Sequence, residues 1–320
     1  MPSDKRQPTF PVTANLRPRV AVVVRAHFDC EKLRDLTRIL KTGTGYELFV
    51  FADQTHGPLE LAGEPVIPCS EQMCAELGLV GSLPHESVFW YFGDYAFYCA
   101  LQSIPGFDYY IMIDYDVELV RGNTYALESL IARLMPPGSP PLDHVGPFFG
   151  PANPEWCWSW ACKGVFPKHY GSFFPLIVLS CRAAEYLYEW RRREAANPPA
   201  NGQYIMSEAF VPSALMAAGG FSCAELNSLL PGCSDRSTFR VLPPMQMGNL
   251  PAFDRTIEFV HPVYSEKEYR KSDRSNPHGL PMSPEPPQAT RGKRTKLSRA
   301  AAASRRPEGT KLTKPRRGRS

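Results

Sequence analysis

The residues best able to support chemistry are two aspartates, Asp114 and Asp116, which follow the apolar run 109–113. The run predicts a buried strand. Alternate side chains of an extended segment point the same way, so both carboxylates can face one point where the strand ends. Anionic oxygen ligands suit Mg²⁺ or Mn²⁺, and ligands of open α/β sheets bind beyond the carboxyl ends of strands. The pair predicts a divalent-metal site; the alternative is two solvated strand-end carboxylates.

Upstream of this pair, the chain predicts a strand–helix–strand unit. The β-branched run 20–24 is typical of a strand buried on both faces, and residues 46–52 predict a second strand. Between them, apolar residues at helical spacing end at Gly43, which predicts a helix that Asp29 can cap. Strands joined in this way run parallel, with a right-handed crossover.

Further helices and strands continue this alternation downstream. Asp94 precedes residues 95–101, which are apolar nearly all round and predict a buried helix. Later segments predict, in chain order, a helix within 123–135, a strand at 173–180, a helix at 181–196, a helix from Ser207-Glu208 to Gly219-Gly220 and a short strand at 258–260. The sequence therefore predicts one α/β domain over residues 19–268.

Charge divides the chain into two parts. The formal net charge is +4, but residues 271–320 hold 14 Lys or Arg against three acids, which leaves −7 on the rest. Residues 269–320 are rich in Pro, Ser, Arg and Lys and cannot bury enough apolar surface to offset their conformational entropy. We expect a disordered basic tail over 269–320 and a flexible leader over 1–18. The tail is compatible with weak contact to an anionic membrane or to nucleic acid.

Cysteine usage and the N-terminal residues indicate a reducing compartment. The nine cysteines are odd in number and contain no C-x-x-C pair, and residues 1–10 lack an apolar signal core. The longest apolar run, 173–179, is too short to cross a bilayer. We expect a cytoplasmic protein that its basic tail could hold at the inner membrane face.

The order of these features resembles the GT-A class of nucleotide-sugar glycosyltransferases, and fits its bacterial-type members with a D-Y-D element. The likeness is carried by the βαβ opening, the buried helix, the strand ending in Asp114-Tyr115-Asp116 and the late strand ending in His261-Pro262-Val263. It implies a Rossmann-like domain with a mostly parallel central sheet and helices on both faces. It also implies that Asp114, Asp116 and His261 hold Mn²⁺ or Mg²⁺ on the donor's diphosphate. For His261 the alternative is a packed strand-end histidine.

The same resemblance implies roles at both ends of the site. The nucleotide-contacting set would be Arg25, His27, Asp53 and Asp94. Glu208 would be the catalytic base that takes the proton of the acceptor hydroxyl. Structural alternatives stay open: an ion pair for Arg25, a turn or cap for Asp53, a helix cap for Asp94, and for Glu208 a first-turn glutamate favoured by the helix dipole.

Three tryptophans at alternate positions, Trp156, Trp158 and Trp160, would share one side of an extended loop. Aromatic faces bind sugar rings, so this set is a candidate platform for the sugar or the acceptor. Ordinary core packing is the alternative.

The leading interpretation is metal-dependent transfer of a sugar from a nucleotide-sugar donor to an unknown acceptor, which could be a glycan, a lipid or a small molecule. One alternative is an Asp-x-Asp phosphohydrolase, but Glu118 stands where that class has Thr or Val. Another is a non-catalytic binding module of the same fold whose basic tail engages nucleic acid or lipid. Dinucleotide-binding, P-loop, serine-hydrolase and zincin motifs do not occur in the chain.

Overall fold

A computed structural model describes residues 17–272 apart from 56, 60, 62, 84–86, 154 and 201. Its strands are β1 Val20–Ala26, β2 Glu47–Asp53, β3 Val66–Cys69, β4 Tyr109–Asp114, β5 Glu118–Leu119, β6 His144–Gly146, β7 Gly150–Pro151, β8 Tyr170–Gly171, β9 Leu176–Ser180, β10 Cys223–Glu225, β11 Met245–Gln246, β12 Phe259–Val260 and β13 Val263–Tyr264. Its α-helices are α1 Glu31–Gly43, α2 Glu71–Glu76, α3 Val88–Tyr91, α4 Tyr95–Ser103, α5 Tyr125–Ala132, α6 Cys181–Ala196, α7 Ser207–Ala218, α8 Leu226–Leu229 and α9 Glu266–Ser272. Two 3₁₀ helices span Val120–Gly122 and Cys157–Cys162.

Seven strands form a central sheet in the order β10-β6-β9-β4-β1-β2-β3. Strands β4, β1, β2 and β3 run parallel, and β10 is parallel to β6. Only β9 is reversed within this sheet, because it pairs antiparallel with both β4 and β6. The prediction of an α/β domain with a mostly parallel sheet is confirmed.

Both faces of this sheet are covered, as the continuous apolar runs predict. On one face, Val20, Val22 and Val24 of β1 belong to a core shared with α1 and α5. On the other face, Ala21 and Val23 belong to a core shared with α2, α4, α6 and α7. Successive side chains of a strand alternate between faces, so β1 contributes to both cores and must be apolar throughout.

The strand order reverses between β1 and β4. From β1 the chain builds outward through β2 and β3, then returns to place β4 on the other side of β1. The carboxyl ends of β1 and β4 therefore border the crevice where open α/β sheets bind ligands.

A short C-terminal segment is joined to this crevice by backbone pairing. Strand β12 pairs antiparallel with β5, and β13 pairs with β11. The N–H of Val263 donates to the carbonyl of Asp116 at 2.8 Å. These contacts bring the end of the described chain beside the residues that follow β4.

The cap of α1 and the extent of α9 differ from the sequence prediction, and two predicted segments lie mostly outside the described residues. Helix α1 is capped by the Sγ of Cys30, which accepts from the N–H of Leu33, whereas Asp29 pairs with Arg34. Helix α9 runs through position 268, where we expected the domain to end, up to Ser272. Residues 273–320 and 1–16, which contain most of the expected tail and leader, lie outside the described residues.

None of the helices in the described part of the chain combines the length and the apolar character needed to cross a bilayer.

Candidate active site

Arg25 and Asp114 face each other where β1 and β4 end. The two residues are register partners, and the guanidinium Nε and Nη2 donate to Oδ1 and Oδ2 of Asp114 at 2.7 and 2.8 Å. Gly93 permits this arrangement, because a Cβ at that position would overlap Nη1 of Arg25. The bidentate pair holds the first aspartate of the motif in one orientation.

Asp116 lies beside His261, 145 positions further along the chain. Nε2 of His261 is 3.3 Å from Oδ1 of Asp116, and Nδ1 is 2.7 Å from the carbonyl oxygen of Arg240. Because a carbonyl only accepts, Nδ1 carries a proton and donates it. In the neutral ring, the lone pair is then on Nε2, directed at the carboxylate side of the site.

Asp114, Asp116 and His261, called here the Asp–His cluster, each offer one ligand atom, and these atoms lie within 4.8 Å of one another. Two carboxylate oxygens and an imidazole nitrogen are ligands that suit Mn²⁺ and Mg²⁺. The Arg240 carbonyl fixes the ring tautomer that metal ligation requires. The cluster therefore fits a divalent cation.

Charges in the cluster shift its pKa values in directions set by burial and pairing. Burial raises the pKa of Asp114 above its usual value despite the nearby Arg25. Burial also opposes ionisation of Asp116, but the charge and hydrogen bond of His261 outweigh it and lower that pKa. The pKa of His261 is raised, since Asp116 outweighs the opposing effect of burial. Asp116 and His261 therefore each favour the charged form of the other.

Glu208 lies at the same crevice, at the second position of α7. Its carbonyl accepts from the N–H of Ser172 at 3.0 Å, and the N–H of Phe174 hydrogen-bonds to its carboxylate. Burial raises the pKa of Glu208 to about 7, and the charges of Arg25 and Asp114 act on it as well. A half-buried carboxyl with this pKa can exchange a proton near neutral pH.

Two of the expected nucleotide contacts lie around the cluster. The charge of His27 acts on Asp116, and that of Asp53 acts on Arg25. His27 is exposed, with its ring edge-on to Tyr115 at 5.5 Å between centroids. Asp53 also serves a turn, because its Oδ1 accepts from both the N–H and the hydroxyl of Thr55.

The buried position of Asp94 contradicts the prediction that this residue contacts the nucleotide. Its side chain is fully buried and forms an ion pair of 2.8 Å with Nε of the equally buried Arg191. Tyr98 also donates to it at 2.8 Å. Although Asp94 precedes α4, its carboxylate makes no capping hydrogen bond. A carboxylate enclosed in this way cannot reach a ligand.

The tryptophans do not form the shared platform expected of an extended loop. Residues 157–162 are a 3₁₀ helix, so alternate side chains diverge. Trp156 packs on Gly171, and Trp158 meets Tyr91 edge-on at 5.8 Å, while Trp160 is 40% exposed. Trp156 and Trp158 thus border the aromatic core, as the packing alternative held.

Two charged residues important to the site's surroundings were missed in the sequence. Lys32 is fully buried, with Nζ 2.6 Å from Oε2 of Glu118, two positions after Asp116. Arg191 donates to the carbonyl of Ile205, just before α7, at 2.9 Å. A signal for Arg191 was present, since it lies four positions after the buried Leu187 on the apolar face of α6. The contact of the Arg240 carbonyl with His261 could not be predicted, because every residue has a backbone carbonyl and no residue type marks the one that is used.

Comparisons with known proteins return structures only. No protein-family model matches the chain, and no curated protein matches it. Similar solved structures include a glycosyltransferase involved in the glycosylation of the major capsid of PBCV-1, with 10% identity and a TM-score of 0.38 over 65% of this chain and 82% of that one. Another is the UDP complex of glucosyl-3-phosphoglycerate synthase from Mycobacterium tuberculosis, with 13% identity and a TM-score of 0.36 over 65% and 70%.

A further complex of that synthase, with Mn²⁺, UDP-glucose and phosphoglyceric acid, has 13% identity and a TM-score of 0.34 over 65% and 70% of the two chains. Their identities and TM-scores are too low to assign an activity or the role of any residue.

Proposed function

We propose that this protein transfers a sugar from a nucleotide-sugar donor to an acceptor, with a divalent cation held by the Asp–His cluster. The observation that supports this most is the convergence of Asp114, Asp116 and His261 at the switch point of the sheet. A bound Mn²⁺ or Mg²⁺ would neutralise charge that develops on the departing diphosphate.

The protein's own groups have distinct tasks in this proposal. Arg25 orients Asp114 through its bidentate contact, and the Arg240 carbonyl orients His261. Glu208, with a pKa of about 7, removes the proton from the acceptor hydroxyl. His27, directly after β1, and Asp53, the last residue of β2, would contact the nucleotide.

The phosphohydrolase alternative is weaker for a chemical reason. Such an enzyme would need a free carboxylate oxygen on Asp114 as the nucleophile. Both oxygens of Asp114 accept hydrogen bonds from Arg25, which lowers their nucleophilicity. The same contact is compatible with metal ligation, since a carboxylate has about four lone-pair sites.

The deciding experiment is a thermal-shift panel of UDP, GDP, CDP and ADP, each with and without Mn²⁺. A ligand that binds only the folded protein stabilises it by about 2.7 kcal/mol at 100 times its dissociation constant. We expect one nucleotide to raise the melting temperature in the presence of Mn²⁺, and Asp116→Asn to abolish that shift. Release of this nucleotide from its sugar conjugate would then be measured to establish the reaction.

The matched control is Asp254→Asn, which makes the same chemical change at a residue whose carboxylate accepts hydrogen bonds from Thr256 outside the site. It should retain the shift. A panel in which no nucleotide gives a Mn²⁺-dependent shift, or in which Asp116→Asn and Asp254→Asn behave alike, would contradict the proposal.

The acceptor and the basic tail form a separate part of the proposal. The 14 Lys or Arg of residues 271–320 would hold the enzyme near an anionic surface that carries the acceptor. Deleting residues 273–320 should leave the nucleotide shift unchanged and weaken binding to vesicles containing phosphatidylserine. Unchanged vesicle binding would remove this part and leave the transferase proposal intact.

A further inference from the structure

Three cysteines converge at the edge of the central sheet that β3 forms. Cys69 is the last residue of β3, Cys74 lies in α2 and Cys99 lies in α4. Their Sγ atoms all lie within 4.8 Å of one another, and those of Cys69 and Cys74 are 3.9 Å apart. We call these residues the cysteine cluster.

The cluster is enclosed. All three side chains are 0% exposed and belong to the apolar core on the α4 face of the sheet. Cys162 lies in the same core without joining such a group among the described residues, and it is likewise a free thiol. Burial of one cysteine in a core is ordinary, but three elements that each direct a thiol to one point need a further explanation.

The spacing fits a shared metal ion better than a disulfide. With metal–sulfur bonds of about 2.3 Å, trigonal or tetrahedral geometry places the sulfurs about 3.8–4.0 Å apart. The pair Cys69–Cys74 already has this separation. A disulfide would require the same two sulfurs to approach to about 2.05 Å and would leave Cys99 unused.

We propose that Cys69, Cys74 and Cys99 bind one thiophilic ion, Cu(I) or Zn²⁺, through their sulfur atoms. Binding exchanges S–H bonds for metal–sulfur bonds and releases the displaced protons to solvent. Soft sulfur ligands select these two ions. Of the two, Cu(I) fits better, because structural zinc takes four ligands and only three converge among the described residues.

The bound ion would reinforce a weak part of the fold. Strand β3 is the outermost strand of the sheet, and α2 has six residues. An ion bound by Cys69, Cys74 and Cys99 would cross-link β3 and α2 to α4. It would also brace Asp53, which is the register partner of Cys69.

The test titrates the reduced full-length protein anaerobically with Cu(I), and separately with Zn²⁺, against a chromophoric chelator. We expect one ion per chain, a sulfur-to-metal charge-transfer absorption and a higher melting temperature. Cys99→Ala should lose all three effects, and the matched control Cys162→Ala should keep them. Preference for Cu(I) or for Zn²⁺ identifies which ion the cluster takes.

A second measurement uses the unaltered chain, in case Cys99→Ala fails to fold. Alkylation of each cysteine is followed by mass spectrometry in mild denaturant, with and without the ion. The ion should protect Cys69, Cys74 and Cys99 together, and more strongly than Cys162, which gains only from the higher stability of the folded state. Protection of Cys162 to the same extent, or binding that persists unchanged in Cys99→Ala, would overturn the proposal.

Discussion

Arg25 and Asp114 form a bidentate ion pair across the point between β1 and β4 where the strand order of the sheet reverses. The pair depends on Gly93, since any side chain at that position would meet Nη1 of Arg25, with Phe174 and Ser207 also close by. The orientation of the first metal-binding candidate is therefore set by a residue that carries no side chain.

The first prediction concerns this contact. Gly93→Ala should lower the free energy of unfolding by about 1–3 kcal/mol, the usual cost of inserting a methyl group into packed surroundings. Arg25→Met removes the group that the methyl meets, so the double variant should lose at least about 0.5 kcal/mol less than the sum of the single losses. Urea unfolding of the four proteins measures this coupling. Gly45→Ala, where a Cβ meets nothing within 4 Å, should be additive with Arg25→Met. Additivity in the Gly93 cycle would be inconsistent with the contact.

The second prediction concerns the buried pair of Asp94 and Arg191. Arg191→Met would leave the Asp94 carboxylate without an opposite charge inside the core, at a cost of about 3–5 kcal/mol. The neighbouring Arg192 is exposed and pairs with Glu189 on the surface, so Arg192→Met should change stability by about 0.5 kcal/mol or less. Urea unfolding at pH 7 distinguishes the two. Equal losses would mean that the buried pair is not what stabilises this region.

The third prediction is a pH dependence set by Glu208. Its folded-state pKa of about 7 lies above the unfolded value, so the folded state holds the proton more tightly. Its contribution to stability is therefore full below the unfolded pKa and is lost as pH rises through about 7. Glu208→Gln should remove this component, and the two proteins should differ in the slope of unfolding free energy between pH 5 and 8. Parallel pH profiles would show that the Glu208 pKa is not raised.

The same group should govern the rate. Deprotonated Glu208 is the proposed base, so donor turnover should rise with pH through about 7 in the unaltered protein. Glu208→Gln should lower turnover by about 10²–10⁴-fold and flatten this profile. A slow variant that keeps the same pH limb would assign the base to another residue.

The fourth prediction separates the two nitrogens of His261. In His261→Asn, the side-chain amide can still donate to the Arg240 carbonyl, but nothing replaces Nε2 beside Asp116. The folded state should persist, while the affinity for Mn²⁺ falls by about 100-fold or more, beyond the usual effect of losing an outer hydrogen bond to a ligand. Isothermal titration with Mn²⁺ measures this. His169→Asn, at a histidine that contacts Ser159 instead, is the control and should bind Mn²⁺ normally.

Much of the fold follows from local patterns. The alternation of apolar runs and amphipathic segments locates β1, α1, β4 and α6 closely, because each buries a continuous face. The reversed direction of β9 is not encoded locally, since its residues, LIVLS, would fit either direction in a sheet covered on both faces.

The same distinction holds for the candidate site: residues of one short segment could be predicted to lie together, whereas pairings between distant segments could not. Asp114 and Asp116 could be identified because a strand and a two-residue spacing place them together. Asp94 could not be interpreted correctly, because its partner Arg191 lies 97 positions away. The helical spacing that indicates burial of Arg191 does not identify the residue it pairs with. Pairings between distant segments depend on tertiary packing and have no local sequence pattern.

The hydrogen bond from Val263 to the Asp116 carbonyl has a consequence for biosynthesis. During translation, the two aspartates leave the ribosome long before His261, and closing a loop of this length carries an entropic cost that only later contacts offset. A nascent chain that ends before residue 257 would hold both carboxylates but no imidazole. Full cation affinity should therefore appear only after His261 has been synthesised.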